Sequence, residues 1–436
     1  MKASLTRVSI VMVLLILVMP VLAACSSPAP AAPTTAPVAP APTTAAASGT
    51  YKGTLTVPEL IPMTGAYAAG AAPMWKGAQA YTRYINERGG INGYKVEFNW
   101  ADTAYNVAKV LQLYKQFKEQ KPPLIVLYDA AGGEALKQTI EQDQIVVINS
   151  GASDPQVFPP GWIFLTGTPY VDGFVSYLEY LSKSWKGPDK AKLGVIVYEL
   201  GPQMAHIDAA KALASKLGIE FVDSEIIVPS MLDSTPVLTR FRDEGVNNIY
   251  MVGSNPTFAV VSKDLQRLGL KDKMTLTGVW WDDLDNNIRL ASAAAEGTQN
   301  ITWLPWPTDP SPDVQKVVEY YKGINNGETP VALALAGWMM HELVFEAYRV
   351  ALNKVGSPDK LTGPVMMESL QSIKNFQGLL YKNVTLDATT RVALPKVRMT
   401  QVQNGQQVAI SEYFDVRLLP RTADGKIDWA KYEPPK

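Results

Sequence analysis

Beyond residue 50 the chain alternates short apolar runs with amphipathic stretches, the rhythm of an open α/β fold. Strands are expected at Thr54 to Glu59, Tyr94 to Trp100, Leu124 to Tyr128 and Ile145 to Ile148. The last of these is apolar at every position, the pattern of a strand covered on both faces of a parallel sheet. Helical spacing fills the gaps. Trp75 to Glu87 places Ala78, Tyr81, Tyr84 and Ile85 on one face and stops at Gly89-Gly90; Asn106 to Gln120 and Glu134 to Gln142 follow. The rhythm restarts after Thr166. Helices are expected at Phe174 to Trp185, Ala205 to Leu217, Pro236 to Asp243 and Phe258 to Leu268, and strands at Leu193 to Tyr198, Ser224 to Val228, Asn248 to Val252 and Met274 to Trp280. Helices at Pro312 to Lys322, Leu333 to Val350 and Val365 to Ser372 come next, then strands at Lys396 to Val402, Gln407 to Ile410 and Tyr413 to Leu418. The pattern predicts two α/β units of similar design. Such sheets bind ligands at the carboxyl ends of their strands, where helix N-termini present free amides.

The first 50 residues read differently. An apolar run from Val8 to Met19, flanked by Lys2 and Arg7, is too short to span a bilayer and has the form of a secretory signal. It closes on Val21-Leu22-Ala23-Ala24-Cys25, which resembles the lipobox of bacterial lipoproteins. That resemblance implies removal of residues 1–24, lipidation of Cys25 and tethering to the outer face of a membrane, held stably because several acyl chains anchor where one does not. Residues 25–50 are rich in Ala, Pro and Thr, a composition that forms a semi-rigid extended spacer.

Composition narrows the chemistry. Cys25 is the only cysteine, so the folded part has neither a disulfide nor a thiolate metal site. The formal charge of -1 drops by two with Lys2 and Arg7, leaving no general affinity for nucleic acid. Two histidines supply zinc sites or Ser-His-Asp machinery poorly, and no cofactor is expected. His341-Glu342 opens like a zinc-protease motif, but Phe345 stands where the second histidine belongs. G-x-S-x-G, G-x-G-x-x-G and P-loop motifs are absent, so an enzyme is not expected.

Thr64-Gly65-Ala66-Tyr67, Gly77-Ala78, Asn86 before Gly89-Gly90-Ile91-Asn92-Gly93, Asp102, Ser150-Gly151-Ala152-Ser153 and Ala295-Glu296-Gly297 together resemble the leucine/isoleucine/valine-binding proteins of bacterial ABC importers. The resemblance implies a type I periplasmic-binding-protein fold: two doubly wound lobes joined by three crossovers and closing on a small ligand. It places one lobe at residues 51–167 and 304–394 and the other at 168–303 and 395–436. By the same resemblance, Ala152 supplies a carbonyl and Ser153 a hydroxyl and amide to an amino acid ligand. Ala130, Ala131 and Gly132 stand where the family carries a serine-rich turn, keeping backbone amides but no hydroxyl, and Tyr67 forms an aromatic wall. The second lobe departs from the family pattern. Tyr198-Glu199 replaces the usual tyrosine loop, Ser254 and Asn255 follow a strand, and Trp280 stands near the position of the family's ammonium-binding acid, with Asp282 or Asp283 close by. Trp280, Trp281 and Asp282 also suit a flat or apolar ligand. The implied function is capture of a branched-chain amino acid, or a related amide or aromatic compound, by a monomeric lipid-anchored protein that delivers it to an ABC permease. A sensor presenting ligand occupancy to a signalling partner is the alternative.

Overall fold

The computed structural model describes residues 50–393 and 396–435. Cys25, the leader and residues 25–49 of the spacer lie outside the described residues. The first half runs β1 (Thr54–Ile61), α1 (Ala68–Asn86), β2 (Lys95–Asp102), α2 (Val107–Lys118), β3 (Leu124–Leu127), α3 (Ala130–Asp143), β4 (Val146–Asn149) and β5 (Ile163–Leu165). Then come α4 (Tyr170–Ser184), β6 (Lys192–Tyr198), α5 (Gly201–Leu213), β7 (Glu220–Ile227), α6 (Thr235–Asp243), β8 (Asn248–Val252), α7 (Asn255–Arg267), β9 (Thr275–Val279), α8 (Leu284–Ala291) and β10 (Gln299–Thr302). The chain closes with α9 (Pro312–Ile324), α10 (Ala332–Val355), α11 (Gly363–Gln371), β11 (Lys396–Gln403), β12 (Gln406–Ala409) and β13 (Phe414–Asp415).

Two sheets organise these elements. One is parallel, in the order β2-β1-β3-β4-β5. The other runs β12-β11-β10-β9-β8-β6-β7, with β13 on β11; its strands β6 to β10 are parallel and β11 to β13 antiparallel. The chain passes between sheets three times: after β5, after β10 and between α11 and β11. This is the expected two-lobed, doubly wound α/β architecture. β3 and β4 are buried at every position, as strands sandwiched between helical layers must be.

Five elements depart most from the sequence expectation. α1 begins at Ala68 rather than Trp75 and carries Pro73 within it. Its early start follows from packing against α10. A Cβ on Gly77 would lie 1.8 Å from the Ala334 carbonyl oxygen, and one on Gly337 would lie 1.9 Å from that of Met74, so the two backbones touch. Gly337→Ala should push the helices apart and cost about 1–3 kcal/mol; a lowered midpoint in chemical denaturation checks this. α3 begins at Ala130, so the residues expected as a turn form its first turn under an Asp129 cap. β5, α8 and β10 carried too little periodicity to be expected; β5 and β10 have only 3 and 4 residues.

Candidate functional site

The carboxyl ends of both sheets meet at a cavity of about 60 Å³, room for several water molecules. Its walls come from both lobes. Tyr67, Gly70, Ala71 and Met74 lie on α1 and the loop before it, Tyr105 on the loop after β2, and Tyr128, Ala130, Ser150 and Gly151 at the ends of β3 and β4. Tyr170 opens α4, Gln203 sits in the first turn of α5, Trp280 and Trp281 follow β9, and Leu333 begins α10.

Aromatic rings dominate. Tyr67 and Tyr105 have ring centroids 4.1 Å apart, Tyr170 meets Trp281 at 4.5 Å, and Trp280 stands edge-on to Trp281 at 5.3 Å. The Trp281 indole nitrogen donates to the Gly253 carbonyl at 3.0 Å, fixing the ring's orientation. Burial pushes the Tyr67 and Tyr105 hydroxyls far above their ordinary range, so both stay protonated. The Gln203 side-chain amide donates to the Tyr67 hydroxyl at 3.2 Å, a direct bond from one lobe to the other. Beneath it, His206 Nδ1 donates to the Gln203 carbonyl at 2.9 Å; burial lowers this imidazole to about 4, leaving it neutral near pH 7.

Tyr128 is held from behind. Its hydroxyl donates to Glu59 Oε2 at 3.0 Å, and Glu59 Oε1 pairs with His341 Nε2 at 2.6 Å, all buried. The histidine that opens the protease-like motif is therefore a core partner of β1. A second link between lobes lies at α8, where Asp285 Oδ2 accepts the Ala332 backbone N–H at the start of α10 at 3.2 Å, and Arg289 donates to the Thr329 carbonyl at 3.1 Å.

Of the residues singled out in the sequence, Tyr67, Ala130, Trp280 and Trp281 line the cavity together. The others are placed behind it. Gly132 N–H is taken by Asp129 Oδ1 at 2.9 Å, and Ala131 precedes it in that capped turn. The Ala152 carbonyl accepts the Tyr170 N–H at 2.9 Å, and the Ser153 hydroxyl accepts from Gln156 at 2.8 Å. The Tyr198 hydroxyl bonds to Ser254 and Thr257 at 2.7 Å each, and Asn255 reaches Asp283 at 3.5 Å. Asp282 is fully buried and accepts the Gly253 N–H at 3.3 Å; burial pushes its carboxyl far above the carboxylate range. Asp283 caps α8 by accepting the Asn286 N–H at 2.8 Å. The sequence reading passed over Tyr105, Tyr128, Tyr170 and Gln203. Tyr128 directly follows β3 and Tyr105 lies in the loop after β2, so the strand-end rule marks that region, but Tyr170 and Gln203 reach the cavity only through the packing of α4 and α5.

A model of the family described as periplasmic binding protein matches residues 54–407. The chain belongs to that family. This periplasmic binding protein is 25% identical over 296 residues to a Leu/Ile/Val-binding protein homolog 1 of Brucella suis biovar 1 (strain 1330), covering 67% of this chain and 77% of that one. Its fold is similar to that of a branched-chain amino acid ABC transporter protein from Thermus thermophilus with bound valine, with TM-score 0.73, 23% identity and coverage of 84% and 97%. A fatty acid ABC transporter substrate-binding protein from Thermomonospora curvata matches with TM-score 0.74 and 20% identity, covering 88% of this periplasmic binding protein and 95% of the other chain. The family is one of solute-binding proteins rather than enzymes. No helix among the described residues is long and apolar enough to cross a membrane.

Proposed function

We propose that this protein is the extracytoplasmic solute-binding component of an ABC importer, anchored through Cys25, that closes its lobes on a small organic molecule and delivers it to a permease. The ligand is a branched-chain amino acid or a related amide or aromatic compound. The observation that carries this reading is the cavity whose walls come from both lobes, bridged by the Gln203 to Tyr67 bond. A ligand seated there contacts both lobes only when they close, so its binding energy shifts the open population toward the closed one. The lobes themselves are taken as residues 51–167 with 304–394 and 168–303 with 395–436.

Small-angle scattering with and without ligand tests the proposal, since closure lowers the radius of gyration. Calorimetry with leucine, isoleucine, valine and their amides supplies the affinities. Trp281→Ala should weaken binding at least tenfold without unfolding the chain; an unchanged affinity would remove the cleft as the binding site.

Closure should also depend on pH. Asp285 is half-buried against α10, and burial with the neighbouring Asp283 raises its carboxyl to about 8. The closed form then holds a proton that an open, solvated Asp285 releases near its ordinary value of about 4. Closing is favoured below that value and loses support as pH rises from about 4 to 8. Affinity should fall several-fold across this window, and Asp285→Asn should flatten the profile.

A further inference from the structure

The cavity lining carries no charged side chain. The groups that would hold the two poles of an amino acid are already engaged. The amides opening α3 are turned onto the carboxyl of Asp129, itself fully buried and raised by that burial, so they are spent within the helix end. The Ala152 carbonyl accepts the Tyr170 backbone N–H, and the Ala152 amide faces the Tyr170 hydroxyl. Asp282, the nearest acid in the second lobe, is not part of the lining, and burial disfavours its charged form. A zwitterion entering this cleft would leave both charges without partners in a site of low polarity.

The lining instead offers flat apolar surface and a small set of neutral polar atoms. Tyr67, Tyr105, Tyr128, Tyr170, Trp280 and Trp281 present rings. Among the described residues, two lining side chains each keep one buried polar atom without a protein partner: the donor Trp280 Nε1 and the acceptor Gln203 Oε1. Together they complement a group that accepts one hydrogen bond and donates another, as a primary amide does.

We propose that the cleft binds an uncharged planar molecule, an aromatic or cyclic amide, and rejects zwitterionic amino acids. This rests on the cleft being the ligand site and narrows the ligand class within that reading.

Thermal shift and calorimetry on the full chain test it with benzamide, benzoate, benzylamine, isoleucine and phenylalanine at millimolar concentration. Benzamide should raise the melting temperature and quench tryptophan fluorescence, while the four charged probes leave both unchanged. Trp280→Phe and Gln203→Leu should each weaken benzamide binding tenfold or more and leave the unliganded chain folded. Binding of isoleucine or phenylalanine, or of benzylamine in a way that Asp282→Asn abolishes, overturns the inference and leaves the cleft as the ligand site. Silence of benzamide overturns the inference alone. A benzamide response that both Trp280→Phe and Trp281→Ala leave untouched places binding elsewhere and overturns the cleft reading as well.

Discussion

Arg421→Ala is expected to destabilise the protein by about 3–5 kcal/mol, the cost of leaving buried charges without their partner. Arg421 Nη2 lies 2.5 Å from Asp154 Oδ1 and 2.6 Å from Asp172 Oδ2, and its guanidinium packs 4.2 Å over the Phe158 ring. Both carboxylates are buried, and each holds further backbone. Asp172 Oδ1 accepts the Leu419 N–H at 2.6 Å and Asp154 Oδ2 the Val171 N–H at 3.3 Å. The arginine thus ties the C-terminal segment to the start of α4, beside the loop that follows β4. Burial already raises Asp172, and the Arg421 cation opposes that rise. Without the cation the folded state holds protons that the unfolded chain has released above about pH 4. Stability of the variant therefore falls as pH rises through that value, so the deficit is largest near neutral pH and shrinks on acidification. Urea denaturation at about pH 4 and pH 7 measures it; equal deficits at both would contradict the ion-pair account. Arg421→Lys should recover only part of the loss, because one ammonium cannot match a guanidinium fork reaching two carboxylates.

Glu342→Ala should cost a similar 3–5 kcal/mol by orphaning four donors at about 1–3 kcal/mol each, less whatever water restores. Glu342 on α10 is 1% exposed. Its Oε1 accepts from the Trp338 indole at 3.0 Å and the Leu379 N–H at 2.9 Å, and its Oε2 from the Tyr381 N–H at 2.9 Å; the Leu380 N–H reaches both oxygens at 3.1 Å. One carboxylate thus docks a segment without regular structure onto a helix. Tyr381 then carries the connection onward, donating its hydroxyl to the Thr166 carbonyl at 2.5 Å where the chain leaves the first sheet. Burial raises Glu342 to about 7 despite these bonds. A folded value above the unfolded one means that its contribution is full below about pH 4.5 and declines as pH rises through 7. The wild type should therefore exceed the alanine variant by more at about pH 5 than at about pH 8. Glu342→Gln keeps one acceptor and should lose less.

How far the sequence reached can be judged from particular elements. β8 spans Asn248–Val252 as its apolar run indicates, because a strand buried on both faces is apolar at nearly every position. The start of α1 escaped because Pro73 and the glycines around it look like a loop until α10 is present to pack against. At the site, the family resemblance pointed to Tyr67, to Ala130 and to the neighbourhood of Trp280, with Trp281 beside it. Ser153 was drawn from that resemblance too, but its hydroxyl turns to Gln156 and away from the lining. A hydroxyl's direction depends on neighbours from distant chain segments, and local spacing does not encode it.

By itself the sequence determined the α/β class, the restart of the pattern that makes two lobes, the family, and the scarcity of thiols and histidines that limits chemistry. These depend on periodicity and composition, which are local. Tertiary structure decided which side chains share the cleft and which of their polar atoms are spent. The Tyr170 contact on Ala152 and the Gln203 bond to Tyr67 join segments up to 136 residues apart. Only folding brings such groups within hydrogen-bond reach, and it is their pairing that leaves the cleft lining aromatic and free of charge.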